Sequence, residues 1–308
     1  MKDSDVHGLL LVDEMKLSKT VAFNRQNLKV EGFTDLGKYT PEHQKSVKGD
    51  HALVVMFQPF KGKWVQTLGC FLSKGSANGT VLHQIMTEAI ILAERAGLRV
   101  DGIANDGASW NRNISKLTIV VFSDFPHLIK CLRNAFSKHE RYDRIWTPDG
   151  FVSLNHWYAL LDIQDPSAYS MSINYKLTEQ HIKPQFYKKL NVALAFQFFG
   201  VAEAMTILRD EHPNLRDCDG TIKFCSRVKS LITALNCRTP ANELKPGNAM
   251  WKSIESFLQF LEEWEAEAKD KKNNFEFITE QTCYGLKVSL KGALEIFNYL
   301  VSECNLDI

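Results

Sequence analysis

The stretch LRVDGIANDGASWNR, Leu98–Arg112, decides the fold that this sequence predicts. Its apolar run at 100–104 ends on Asn105-Asp106-Gly107, and an apolar run bounded by a turn signal is typical of a buried strand. Asp106 would then lie where the strand leaves the sheet, since Gly107 lets the backbone turn sharply. A carboxylate at that edge is well placed to hold a metal ion, although the same residues are also a common turn.

A second stretch, VHGLLLVDEM at Val6–Met15, has the same form and ends on Asp13-Glu14. Neighbouring strands lie about 4.8 Å apart, so Asp13 and Asp106 would be able to share one or two divalent cations. Mg2+ suits such a site because it takes oxygen ligands and keeps bound water, which can attack a phosphodiester. Two buried strands that each deliver a carboxylate in this way resemble the core of RNase H-like nucleases.

Composition bounds the class of protein. A chain of 308 residues with 44% hydrophobic residues forms one large or two ordinary globular domains. No apolar run approaches the roughly 18 residues of a transmembrane helix, so no membrane span is expected. Seven scattered cysteines without a Cys-x-x-Cys pair leave zinc fingers unsupported and favour a reduced intracellular setting. A net charge of +1 is low for a DNA-binding module, so strong DNA binding by this chain alone is not expected.

The first part of the chain predicts strands and one helix. The apolar runs His51–Gln58 and Trp64–Leu72 predict a hairpin, and the mixed segment Thr20–Phe33 predicts a second, possible edge, hairpin. Thr80–Ala96 carries apolar residues at helical spacing and is followed by Gly97, a stop signal. With the two stretches above, the order is strand, strand, strand, helix, strand, as in the first half of an RNase H fold.

From Phe125 onward the periodicity is helical throughout, and the composition shift near Ser123 is the best domain boundary. We therefore predict an α/β RNase H-like domain at residues 1–123, followed by an all-α domain at 124–308. The helices are predicted over 128–139, 153–163, 188–208 with a break near Gly200, 221–235, 251–269 and 281–301. His156 is predicted to be a packed core residue rather than a ligand. A basic set around 128–144 either contacts phosphate or forms a solvated helix face: Lys130, Arg133, Lys138, Arg141 and Arg144.

Blocks along nearly the whole chain resemble P-element-type DNA transposases, the group that includes the THAP-domain transposases. These blocks are LLLVDEMKL (9–17), GDHALVVMFQP (49–59), WVQTLGCFLSKG (64–75), NDGASWNRN (105–113), FSDFPHLIKCLRN (122–134), KKLNVALAFQF (188–198), LNCR (235–238) and TCYGLKVSLKGALEIFNYL (282–300). The resemblance implies an RNase H-like domain into which an all-helical GTP-binding domain is inserted. It also implies three carboxylates that hold Mg2+ for DNA strand cleavage and strand transfer, of which Asp13 and Asp106 are the first two.

The chain departs from the family pattern in several places. The segment Asn113–Phe122 is shorter than the helix and strand that the family has there, so the first domain is expected to be truncated near 113–122. Aligning the family's LNSR-like block on 235–238 places Lys229, Ile232 and Thr233 where guanine partners are expected, and none of them offers a carboxylate to guanine. GTP specificity is therefore in doubt.

The family's third acid and its amino-terminal zinc-containing DNA-binding domain are not found in this sequence. Glu14, Glu295, Glu303 and Asp307 are the candidates to replace the third acid. Glu295 has a spacing that does not match the family's, and Asp307 lies in a terminus that is expected to fray. Without that ligand a metal site loses geometry and affinity, so the chain is expected to be catalytically incomplete.

The sequence therefore predicts a fragment of a P-element-like DNA transposase whose catalytic and metal-binding residues are Asp13 and Asp106. The resemblance further implies Mg2+ and GTP as cofactors, transposon-end DNA as partner, a possible homo-oligomer, and a nuclear location. The alternative is a domesticated, non-enzymatic binding module derived from a transposase. A generic α/β fold unrelated to transposases would require all the block matches to be coincidence.

Overall fold

A five-stranded sheet is organised around β1, His7–Lys16, the first of the two apolar stretches. The other elements of this part are β2 Ala22–Asn24, β3 Lys29–Glu31, β4 His51–Pro59, β5 Gln66–Ser73, α1 Gly79–Arg95, β6 Arg99–Asn105 and β7 Val120–Ser123. The strand order is β5-β4-β1-β6-β7, with β1, β6 and β7 parallel and β4 antiparallel to both of its neighbours. The predicted succession of three long strands, a helix and a fourth strand is confirmed.

The computed structural model describes residues 6–26, 29–105, 120–137, 144–163, 177–183, 192–237, 243–270, 277–302 and 304. Two compact units make up the chain: Met1–Asp124 with Lys291–Ile308, and Phe125–Leu290. This division differs from the predicted domain at 124–308, because the end of the last helix belongs with the sheet. The range 106–119, which includes Asp106, lies outside the described residues.

The two faces of the sheet are covered by different helices. Val12 pairs with Val55 of β4, and this face carries α1, whose Ile85 lines a cavity together with Val55. On the opposite face Leu9 packs against Ile296 and Leu300, which lie near the end of the chain. Because the pleat alternates, Leu9 shares its face with Leu11 and Asp13.

The parallel pairing of β1 with β6 contains a bulge at Asp101. Gly8 pairs with Val100 but Leu9 pairs with Gly102, so Asp101 is the extra residue. Its carboxylate accepts a hydrogen bond from the Gly8 N–H at 2.9 Å and lies 3.0 Å from Nδ1 of His7. The side chain thus takes the place of a backbone acceptor that the bulge removes from the ladder. Burial raises the pKa of Asp101, while the hydrogen bond from His7 opposes that rise.

The small hairpin of β2 and β3 forms a separate two-stranded sheet and pairs with neither edge of the large sheet. The hairpin itself was predicted, and its placement at the edge of the main sheet is wrong. Helix α1 agrees closely with the predicted 80–96. The side chain of Asn78 caps its first turn by accepting from the Thr80 N–H at 3.0 Å, and Gly97 follows it with φ of 90°.

The second unit is mainly helical, as predicted. Its elements are α2 Phe125–Ser137, β8 Ile145–Thr147, β9 Gly150–Val152, α3 Asn155–Ile163, α4 Glu179–Ile182, α5 Val192–Phe198, α6 Ala202–Leu208, α7 Asp219–Leu235, α8 Ala249–Asp270 and α9 Glu280–Ser302, the last of which continues into the first unit. The predicted interruption near Gly200 separates α5 from α6. Aromatic rings fill the core, with Trp157 stacked on Phe198 at 4.4 Å between ring centroids.

The expectation that helices alone follow Ser123 is wrong at the hairpin of β8 and β9. Gly150 has φ of 114°, a backbone conformation that occurs in tight turns and that few residues other than glycine adopt. The turn residue Asp149 accepts two hydrogen bonds from Arg227 of α7, at 2.7 and 2.8 Å. A Cβ on Gly220, also in α7, would lie 2.4 Å from the Phe151 carbonyl oxygen, so the hairpin rests directly on that helix. These long-range contacts stabilise a hairpin that local periodicity does not indicate.

Arg133 corrects the interpretation of the basic residues on α2. Its side chain is fully buried, Nε donates to the His181 carbonyl oxygen at 2.8 Å, and the guanidinium lies 5.6 Å from the centroid of the Phe198 ring. Burial lowers its pKa to about 10. Arg133 therefore belongs to the core and neither contacts phosphate nor forms a solvated face.

Candidate functional site

Asp13 lies in the carboxyl-terminal half of the central strand, three residues before β1 ends at Lys16. The described pairing of β1 with β6 reaches Val12 and Asn105, and the pairing with β4 continues through Asp13, which is opposite Val54. Since β1, β6 and β7 are parallel, their carboxyl ends meet at the same edge of the sheet. Asp13 is exposed there, and its face of the sheet is the one that Leu9 shares with the end of α9.

The carboxylate of Asp13 has a hydrogen-bond partner at one oxygen among the described residues. Its Oδ1 accepts the N–H of Glu14 at 2.8 Å. Within the described part of the chain, no group hydrogen-bonds Oδ2. An exposed carboxylate oxygen of this kind is the ligand that Mg2+ prefers in proteins. The position predicted for a first metal ligand is therefore chemically suited to that role.

The neighbouring strand ends place further polar groups at the same edge. Asn105, the last residue of β6, is 4% exposed and pairs with Ser123 of β7. The N–H of Asp124 donates to the Asn105 carbonyl oxygen at 2.7 Å, which extends the pairing by one residue. Asp106 is the next residue after Asn105 but lies outside the described residues. Its predicted closeness to Asp13 remains a prediction.

Glu14, the residue after Asp13, makes a contact that the sequence did not suggest. Its Oε1 accepts the N–H of Ala77 at 3.0 Å, in the loop that leads into α1. In the sequence Glu14 was only a conceivable third metal ligand. Because β1 alternates, its side chain leaves the strand on the α1 face, opposite to Asp13.

No third metal ligand is evident in the described ranges. They contain no group of three or more His, Cys, Asp or Glu side chains that is arranged to hold a metal ion. Of the proposed substitutes, Glu295 is exposed on α9, whereas Glu303 and Asp307 lie outside the described residues.

The second unit contains a polar cavity of about 620 Å³. Its polar lining includes Arg144, Asn155, His156, Asp162, Asn214 and Asp217. His156 is buried, with Nδ1 2.7 Å from the Thr221 hydroxyl and Nε2 3.1 Å from Asp217, which confirms its packed position. The lining contains two carboxylates, Asp162 and Asp217, and one guanidinium, Arg144, so the net charge of the cavity disfavours binding of phosphate groups.

The residues aligned with the family's guanine partners lie on α7. Lys229 and Thr233 are exposed, and the Thr233 hydroxyl donates to the Lys229 carbonyl oxygen at 2.9 Å. This bond within the helix occupies the hydroxyl proton of Thr233, and neither side chain provides a carboxylate.

None of the helices among the described residues is long and apolar enough to cross a membrane.

Comparisons with known proteins agree with this architecture. Residues 1–118 match the family model described as TNP-like, RNase H N-terminal domain, and residues 126–246 match TNP-like, GTP-binding insertion domain. The human DNA transposase THAP9 is 22% identical over 253 residues, a match that covers 74% of this chain and 27% of that protein. The chain thus spans about a quarter of the length of this curated relative.

A solved structure, the Drosophila P element transposase strand transfer complex, matches with a TM-score of 0.72 and 17% identity over 99% of this chain and 68% of that one. At this identity the likeness shows the fold. It confirms the predicted fold class, an α/β RNase H-like part followed by a helical part.

Proposed function

We propose that this chain, which belongs to the P-element-like family of DNA transposases, contributes a divalent-metal site for phosphodiester chemistry on DNA. The observation that carries the proposal is Asp13, an exposed carboxylate in the carboxyl-terminal half of the central strand of an RNase H-like sheet. Its second carboxylate oxygen, which has no hydrogen-bond partner among the described residues, and its place near the ends of β6 and β7 suit a hard cation.

Asp106 is proposed as the second ligand. Support comes from the register, since Val12 and Asn105 are paired in parallel strands and Asp13 and Asp106 directly follow them in the sequence. The period of two along β6 predicts that position 106 shares the face of Gly102, where an added Cβ would meet Leu9 at 2.7 Å. Leu9 and Asp13 are on that same face.

Mg2+ is the proposed metal. Bound at such carboxylates, divalent cations activate an oxygen nucleophile and stabilise the leaving oxygen of an in-line displacement. The part of the protein is to orient the ligands: the Glu14 N–H holds one oxygen of Asp13 and leaves the other free. DNA is the proposed substrate, a homo-oligomer the proposed assembly and the nucleus the proposed location, all by family membership.

GTP is proposed to bind weakly and with little selectivity. The name of the family model for residues 126–246 supports a nucleotide ligand. The exposed Lys229 and Thr233 offer no carboxylate to guanine, and the polar cavity presents Asp162 and Asp217 to any phosphate. A domesticated binding module is the alternative function, and it would keep both units without needing a metal.

Binding of Mn2+, followed by electron paramagnetic resonance, tests the metal site without requiring turnover. We expect Asp13→Ala and Asp106→Ala each to weaken Mn2+ binding by more than about tenfold, since even the outer partners of metal ligands are worth that much. Glu42→Ala, which removes an exposed carboxylate from the same unit, is the matched control. Mn2+ affinity that survives Asp13→Ala would contradict the proposal and favour the binding module.

A further inference from the structure

We propose that Glu14 is a positioning residue that fixes Asp13 for metal binding, rather than a metal ligand itself. The inference rests on the proposed function of Asp13 and assigns a role to its neighbour. It is carried by the geometry at the end of β1, where two hydrogen bonds of Glu14 act on the same short segment.

Asp13 and Glu14 lie among the last four residues of β1, where β4 is a described partner strand. Among the described residues, pairing with β6 reaches Val12 and pairing with β4 continues through Lys16. The last residues of a strand fray more readily than its centre. A ligand there needs another anchor, because a metal site tolerates only small displacements of its ligands, of about 0.5 Å.

The carboxylate of Glu14 supplies that anchor on the α1 side. Oε1 accepts the N–H of Ala77 at 3.0 Å, and Ala77 directly precedes Asn78, the residue that caps α1. The loop before Asn78 is itself fixed, since the Gly75 N–H donates to Asp50 at 2.6 Å and Lys74 to the same carboxylate at 2.8 Å. The carboxyl-terminal end of β1 is thus hydrogen-bonded to a loop that is itself held by hydrogen bonds to Asp50.

The backbone of Glu14 acts on Asp13 directly. Its N–H donates to Oδ1 of Asp13 at 2.8 Å, so the rotamer of Asp13 depends on the orientation of the Glu14 peptide. The side chains of Asp13 and Glu14 leave β1 on opposite faces, as the strand period requires. The Glu14 side chain therefore holds the backbone of β1 from one face of the sheet, and Asp13 presents its second carboxylate oxygen on the opposite face.

Substitutions that separate the hydrogen bond from the charge test this role. Glu14→Gln keeps an acceptor oxygen for the Ala77 N–H, whereas Glu14→Ala removes it and Glu14→Met removes it while retaining the length of the side chain. We expect Mn2+ affinity to fall about tenfold or more in Glu14→Ala and Glu14→Met, and to stay within about threefold of the parent in Glu14→Gln.

Hydrogen exchange without metal provides the second readout. Exchange at the Ala77 amide is expected to accelerate in Glu14→Ala and Glu14→Met but not in Glu14→Gln, while the amides of Leu10 and Val12 keep their protection. Protected Leu10 and Val12 amides show that the sheet is folded. If Glu14→Ala fails that check, Glu14→Met is compared with Glu14→Gln instead.

The outcomes separate this inference from the proposed function. Parent-like Mn2+ affinity in Glu14→Ala and Glu14→Met, with a tenfold loss in Asp13→Ala, would overturn the role of Glu14 and leave the metal site standing. Equal losses in Glu14→Gln and Glu14→Ala would make the charge or direct ligation responsible, and would also overturn it. Parent-like affinity in Asp13→Ala would overturn the metal site itself.

Discussion

Replacing Asp101 by alanine is expected to loosen the junction of β1 and β6, on which the placement of Asp13 depends. Asp101 is the bulged residue of β6, and its carboxylate accepts the Gly8 N–H at 2.9 Å and contacts His7 at 3.0 Å. The bulge shifts the register by one residue, and a shift of one residue exchanges the two faces of a strand. Asp101 therefore helps to determine which side chains of β6 share a face with Asp13.

The size of the effect follows from the two hydrogen bonds. A bond to a charged acceptor contributes about 1.5–3 kcal/mol, and a buried donor left without a partner costs about 1–3 kcal/mol. Gly8 is buried, so its N–H gains little solvation after the substitution. We expect Asp101→Ala to lower the free energy of local opening at Gly8 by about 2–4 kcal/mol. The two quantities are not added, because they describe overlapping losses.

Hydrogen exchange at the Gly8 and Leu9 amides is the appropriate assay, because it reports the sheet separately from the helical unit. A local loss of that size corresponds to roughly 30- to 1000-fold faster exchange of the Gly8 amide. Asp101→Asn is the matched control, since it retains an acceptor oxygen of the same geometry. It is expected to change the exchange rate by about tenfold or less.

Gly8 exchange in Asp101→Ala that stays within about threefold of the parent would contradict this prediction. It would mean that the carboxylate does not replace a ladder acceptor and that the bulge is held by other contacts. Equal acceleration in Asp101→Asn would show that the charge, rather than the acceptor, matters.

Three further predictions concern charge, thiols and nucleotide. Hydrogen bonds from Gly75 and Lys74 hold the pKa of Asp50 far below its usual range. Its ionised form therefore stabilises the fold above about pH 4, and this contribution is lost as the pH falls further. Asp50→Asn should lower Tm at pH 7, and the difference in Tm between variant and parent should shrink below pH 4. Burial raises the pKa of Cys218 to about 11, so iodoacetamide should label the exposed Cys70 well before Cys218 in a mass-spectrometric time course, and equal rates would contradict its burial. Calorimetry should show GTP and ATP binding within about tenfold of each other, and clear GTP selectivity would disprove the alignment that places Lys229 at a guanine partner.

The sheet was predictable because its signals are local. The apolar runs of β1 and β6 are each followed by polar residues in the sequence, and this pattern indicates a strand without any knowledge of the tertiary contacts. Helix α1 was equally clear, since its apolar spacing and Gly97 agree. The predicted end of the first strand at Asp13 was wrong, because pairing with β4 extends β1 to Lys16.

Features that depend on distant residues were not predictable. Arg133 reads as part of a basic surface, yet its partner is the carbonyl oxygen of His181, which is 48 residues away. The hairpin of β8 and β9 depends on Arg227 and Gly220 of α7. The contact of Glu14 with Ala77 spans 63 residues, and no local spacing indicates it.

The most direct test of the account is the anomalous scattering of Mn2+ in crystals of the protein. The account predicts a peak about 2.2 Å from a carboxylate oxygen of Asp13, with a carboxylate oxygen of Asp106 as a second ligand, and no peak at this place in Asp13→Ala. Manganese bound elsewhere, with Asp13 and Asp106 more than about 10 Å apart, would contradict it, because two carboxylates at that distance cannot share a cation.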